Sequence, residues 1–71
     1  MAKPLITNNI RKLRFEHNEM TQQELADKAS VTRQTIVAIE KEKYSPSLEL
    51  AFRIAQVFNL PLEEVFSYHP E

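Results

Sequence analysis

Apolar residues recur at helical spacing along most of this 71-residue chain, broken by short polar or proline-bearing segments. The best-marked stretch runs from Thr21 to Glu40, where two helix-start signals stand eleven residues apart. Thr21 with Glu24 has the pattern of a capping box. The threonine oxygen accepts from an orphan amide of the first turn, and the glutamate returns to the threonine amide. Thr32 can cap a second helix in the same way. Leu25, Ala26 and Ala29 make one apolar stripe and Ile36 with Ile39 another, while Val31 falls in the small-residue turn where the two helices must meet. The pattern predicts two short helices joined by a tight turn over about residues 21–42.

The flanks extend this to five helices. Pro4, Leu5 and Ile6 precede any helix signal, so residues 3–7 read as a short extended segment whose apolar pair needs a cover. Asn8 or Thr7 can cap a first helix running to about His17, with Ile10 and Leu13 inward and Arg11, Lys12 and Glu16 outward. Asn18, Glu19 and Met20 form the loop that follows. Pro46 and Ser47 open a fourth helix ending near Asn59. Its Leu48, Leu50, Ala51, Phe52, Ile54, Ala55, Val57 and Phe58 leave little polar circumference, which suits a central helix packed on several neighbours. Pro61 starts a fifth, short helix in which Leu62, Val65 and Phe66 fall at helical spacing. Phe66 and Tyr68 also alternate with polar neighbours, so the tail is expected to run extended beside Leu5 and Ile6. The expected fold class is all-α, a single five-helix domain over residues 1–71, with a short antiparallel strand pair from residues 3–7 and 60–71.

Composition narrows the function classes. A chain of this size buries a small fraction of its surface, so an apolar end carrying Leu62, Val65, Phe66 and Tyr68 is expected to meet a second copy as well as its own core. There is no cysteine, hence no disulfide framework and no thiolate metal site, which is compatible with a reducing cytoplasm. No apolar run approaches a membrane span, and Met1 to Ile10 lacks the apolar core of a signal peptide, so a cytoplasmic protein with no membrane partner is expected. The net charge of −1 conceals a segregation: residues 1–43 carry eight Lys and Arg against six Asp and Glu, and residues 44–71 carry one against four. One end of the domain is thus better suited to face phosphates than the other.

The candidate chemistry is recognition. Arg33, Gln34, Ala38 and Lys41 lie on the solvent side of the second helix of the pair, and arginine and glutamine make two-pronged hydrogen bonds to guanine and adenine edges. Taken alone, two polar residues on a helix would be an ordinary solvated face; the surrounding helix pair reverses that reading. Neither His17 nor His69 has a partner at metal-ligand spacing, Ser45, Ser47 and Ser67 lack a nucleophile turn and a paired base, and a glycine-free chain has no phosphate-cradling glycine loop. No enzyme, no cofactor, no metal and no small-molecule ligand is expected.

Through T-Q-Q-E-L-A, V-T-R-Q-T-I, I-E and P-S-L-E-L-A-F-R-I-A, the chain from Thr21 to Phe58 resembles the phage Cro and repressor-type helix-turn-helix family. It is most similar to the small free-standing bacterial regulators of that family, including the dimeric cytolysin-operon repressor type, in which the chain ends form an antiparallel strand pair. The resemblance implies a sequence-specific, homodimeric transcriptional repressor of double-stranded DNA with a two-fold-symmetric operator. It places Arg33 and Gln34 at base edges, with Ala38 against a thymine methyl, and Gln22, Thr32, Thr35, Lys41, Lys43 and Tyr44 at phosphates. Arg14 and Glu40 occupy positions that the family often fills with a structural ion pair. The alternative is a protein-interaction module, such as an antitoxin-like partner, that uses the same fold. Three departures stand out: Ser30 and Glu42 replace the family's usual glycines, the loop at 18–20 is one residue longer than is common, and Glu42 adds negative charge beside the expected phosphate contacts. At the two glycine positions we expect either tolerated left-handed strain or an altered backbone.

Overall fold

Three of the five helices begin on a hydroxyl residue that satisfies one of their own orphan amides. In a computed structural model describing residues 5–70, the order is β1 (Ile6–Asn8), α1 (Ile10–Glu16), α2 (Gln22–Ala29), α3 (Arg33–Glu40), α4 (Leu48–Val57), α5 (Leu62–Val65) and β2 (Phe66–Tyr68). Thr21 and Glu24 make both halves of the capping box on α2, at 3.0 and 2.9 Å. Thr32 caps α3 and Ser47 caps α4. Helix α1 starts one residue later than Asn8 suggested: Asn9 holds the cap position without a side-chain bond, while Asn8, drawn into β1, accepts from the Ile10 amide at 3.2 Å.

The strands pair antiparallel, Ile6 with Tyr68, Thr7 with Ser67 and Asn8 with Phe66. Of the segment 3–7 expected to run extended, Lys3 and Pro4 lie outside the described residues, as does Glu71. The pairing reaches beyond the ladder, since the His69 amide donates to the Leu5 carbonyl at 2.7 Å and the Thr7 hydroxyl meets His69 Nε2 at 2.8 Å. Asn8 Nδ2 donates to the Ile39 carbonyl, tying this small sheet to α3.

A single core gathers Ile10 and Leu13 of α1, Leu25, Ala26 and Ala29 of α2, Ile36 and Ile39 of α3, Leu50, Ile54 and Ala55 of α4, then Phe58 and Val65. Val31 packs on it from the turn between α2 and α3. Two expectations are corrected here. Helix α4 is not covered all round: Leu48 is 68% exposed and Phe52 50%. Val65, expected at an interface between copies, is 0% exposed in the monomer, because the four-residue α5 turns it onto the core, with Leu62 and Phe66 half-buried and Glu63 and Glu64 exposed. A buried side chain cannot serve an interface.

Without glycine, the chain makes its left-handed turns with other residues. Ser30, Glu42 and Asn59 have φ of 62°, 61° and 56°, and Asn18 and Glu19 are left-handed in succession at 59° and 52°. Each such residue with a Cβ costs on the order of 1 kcal/mol. The return is hydrogen bonding of carbonyls that a helix end leaves free: Val31 N to Ala26 O, Lys43 N to Ala38 O and Leu60 N to Ala55 O, at 3.0, 3.0 and 3.1 Å, close the ends of α2, α3 and α4. Tolerated strain, one of the two outcomes expected at Ser30 and Glu42, is thus what the backbone adopts. From α4, Arg53 Nη1 donates to the Ala29 carbonyl at 2.9 Å and secures the end of α2 from outside.

Candidate nucleic-acid interface

Helix α3 divides along its length. Ile36 and Ile39 are fully buried, so the helix cannot roll. Its first turn, by contrast, stands in solvent with Arg33 and Gln34 both exposed. Thr32 fixes that turn by accepting from the Thr35 amide at 3.3 Å, and its hydroxyl also lies 3.1 Å from the Thr35 hydroxyl. The Arg33 and Gln34 amides have no acceptor among the described residues. Ala38 is half-buried one turn on. A planar guanidinium and a carboxamide, both free and both on a locked helix start, form a donor and acceptor array suited to base edges.

One polar knot ties α3 to α1 and α2. Arg14 of α1 grips Glu40 of α3 with two nitrogens, Nε to Oε2 at 2.7 Å and Nη2 to Oε1 at 3.1 Å, and its third, Nη1, donates to the Met20 carbonyl at 2.8 Å. The two side chains are 11% and 9% exposed. Gln22, at the start of α2, adds a hydrogen bond from Nε2 to Glu40 Oε1 at 3.3 Å. Three helices therefore meet on one carboxylate. The Gln22 side chain, placed at a phosphate by resemblance, is engaged in this knot, while its backbone amide, like that of Gln23, has no acceptor among the described residues. Glu24 sits close by, its carboxyl held below the usual range by the Thr21 amide and then the Thr21 hydroxyl, so the box on α2 stays closed at neutral pH.

Beyond α3, Lys41, Lys43 and Tyr44 are exposed, and the left-handed Glu42 sets the path of the chain through them. Glu42 is exposed between the two lysines. An open groove runs between α1, the start of α2 and α3, and its lining includes Arg11, Phe15, Gln22, Arg33 and Lys41. The sequence reading took Arg11 only as an outward residue of α1 and passed over Phe15, which is 55% exposed. The available signal was their spacing: an arginine and an aromatic four residues apart share a helix face.

A second surface shares no lining residue with this groove. Ile6, Pro46, Leu48, Ala51, Leu62 and Phe66 form a shallow apolar depression. Leu62 and Phe66 are half-buried, and Tyr68 is 66% exposed. No described helix is long and apolar enough to cross a membrane.

Comparison with known proteins agrees with this geometry. The pattern of a helix-turn-helix family matches residues 10–65. An uncharacterized HTH-type transcriptional regulator of Methanocaldococcus jannaschii is 50% identical over 64 residues, covering 90% of this chain and 96% of the relative. The cryptic phage CTXphi transcriptional repressor RstR of Vibrio cholerae is 33% identical over 63 residues, 89% of this chain and 56% of the repressor. Among solved structures, a Bacteroides fragilis protein to which DNA binding has been ascribed superposes with a TM-score of 0.76 at 22% identity, over 87% of this chain and 98% of the other, a likeness of fold.

Proposed function

This chain belongs to the Cro and repressor-type helix-turn-helix family of DNA-binding transcriptional regulators, and from that premise we propose that it is a homodimeric repressor of a two-fold-symmetric operator. The observation that carries the proposal is the exposed first turn of α3. Arg33 and Gln34 are free there while the remainder of the helix is anchored by Ile36, Ile39 and the Glu40 knot. In this reading Arg33 and Gln34 hydrogen-bond base edges in the major groove, and Ala38 contacts a thymine methyl. The free amides at the start of α2, with Thr32, Thr35, Lys41, Lys43 and Tyr44, hold phosphates and set the register.

The second surface supports the dimer. Leu62, Phe66 and Tyr68, joined by the uncovered Leu48 and Phe52 of α4, meet the same residues of a second copy across a two-fold axis. In this reading the two α3 helices enter successive major grooves about 34 Å apart, one turn of duplex. Repression is the simpler mode of control for a domain of this size, which has little surface to spare for recruiting a polymerase.

The test is selection of bound sequences from a random duplex library by the purified chain. The expected result is an enriched motif with two-fold symmetry and half-sites about one helical turn apart. An unenriched pool, at salt low enough to favour phosphate binding, would reject sequence reading and turn attention to a protein-interaction module built on the same fold.

A further inference from the structure

We infer that Arg11, held over the ring of Phe15 on α1, is a DNA-backbone contact outside the helix-turn-helix, gripping a phosphate at the groove that it shares with Arg33 and Lys41. The inference rests on the DNA reading above and names one more residue of that surface.

The guanidinium carbon of Arg11 lies 5.9 Å from the centre of the Phe15 ring. Phe15 is 55% exposed and is not among the residues that form the core or pack against it. A ring in that place has a more direct use as a platform. A guanidinium drawn to a ring by the ring's quadrupole still has N–H donors to give, and an arginine fork can donate two of them to phosphate oxygens. Among the described residues Arg11 makes no ion pair, nor do Arg33 and Lys41 across the groove. The acidic residues facing the groove are Glu19 and Glu40, and Glu40 is taken by Arg14. Three free cations against one free carboxylate leave the groove with a surplus that suits an anion. The free Gln22 and Gln23 amides at its rim point to the same kind of ligand.

The experiment measures Kd for the selected operator and for unrelated duplex over a series of salt concentrations, with wild type, Arg11→Gln and Phe15→Leu. Both positions are exposed, and circular dichroism checks that the variants are folded. For Arg11→Gln the slope of log K against log salt should flatten by about 0.9, one phosphate's share, with binding about eightfold weaker at 0.1 M salt on both DNAs alike. Phe15→Leu should keep the wild-type slope and still bind several-fold more weakly, because the charge remains and its positioning is lost. An unchanged slope in Arg11→Gln would overturn the contact while leaving the DNA reading intact, and full affinity in Phe15→Leu would overturn the role of the ring. If the wild type itself shows no salt-dependent affinity, the DNA reading fails and this contact with it.

Discussion

The groove face and the α4 face of this domain are both incomplete, in opposite chemical senses. On the first, Arg11, Arg33 and Lys41 present charge that makes no ion pair among the described residues. On the second, Leu48, Phe52 and Tyr68 present carbon that stands exposed. Elsewhere local needs are largely met: the starts of α2, α3 and α4 are capped, the left-handed ends of these helices are hydrogen-bonded, and the carboxylate of Glu40, 9% exposed, has three nitrogens on it. Unpaired cations call for an anion and uncovered apolar side chains call for another apolar surface. The proposed DNA contact and the proposed contact between copies rest on these two different deficits.

The strongest perturbation of that contrast is to create a deficit inside. Glu40→Ala leaves the Arg14 guanidinium, on a side chain only 11% exposed, with the Met20 carbonyl as its one acceptor among the described residues. Loss of one partner of a buried pair costs about 3–5 kcal/mol. Urea denaturation followed by circular dichroism should show a midpoint lowered to match, and a loss under 1 kcal/mol would mean that water already solvates the knot. Because the same carboxylate ties α3 to α1 and α2, the folded fraction of this variant should also lose operator affinity.

The apolar deficit is tested by Phe52→Glu. The side chain is half exposed, so the monomer should keep its stability within about 0.5 kcal/mol. If Phe52 is an anchor between copies, the dimer should weaken by about 2 kcal/mol, roughly thirtyfold in its dissociation constant, in sedimentation velocity. A wild type that sediments as a monomer at every accessible concentration would remove the second copy from this face. On the groove face, Arg33→Ala should relax preference at one base position by about 1–3 kcal/mol, measured by competition among operator variants. Lys43→Ala should weaken all duplexes alike. The opposite assignment of effects would exchange base reading and phosphate holding between the two residues.

How much of this was legible in the chain follows from how local each feature is. The caps at Thr21 and Thr32, the anchoring of Ile36 and Ile39 and the pairing of the termini depend on spacing within a few residues or on a clear apolar alternation, and all were readable. Val65 was misjudged because a four-residue helix has too little periodicity to show which side meets the core. Leu48 and Phe52 were expected to be covered because apolar content measures what a helix could bury, whereas coverage depends on how many neighbours the topology supplies. The Gln22 bond to Glu40 spans eighteen positions and needs the α2 to α3 geometry before it can be seen. Asn18 and Glu19 resisted for another reason: a longer loop suggests a changed path without saying which residues take the left-handed angles.

The smallest expected effects concern the turns that carry no glycine, and they separate backbone strain from surface charge. Ser30 is exposed at φ 62° and ψ 42°, where a Cβ is disfavoured and its absence is not. Ser30→Gly relieves that strain, and the added freedom of the unfolded chain offsets part of the gain, so thermal unfolding should show stabilisation of at most about 1 kcal/mol. DNA affinity should not change, since the turn between α2 and α3 keeps its path. Glu42 has φ 61° and gains similarly in Glu42→Gly, but this position also lies between Lys41 and Lys43. Removing its charge should strengthen binding to every duplex, more at low salt than at high, because the carboxylate repels the phosphates that the lysines attract. If both substitutions stabilise the fold and only Glu42→Gly alters DNA affinity, the reach of the groove face past the end of α3 is established; equal DNA effects from the two would place Lys41 and Lys43 away from the backbone.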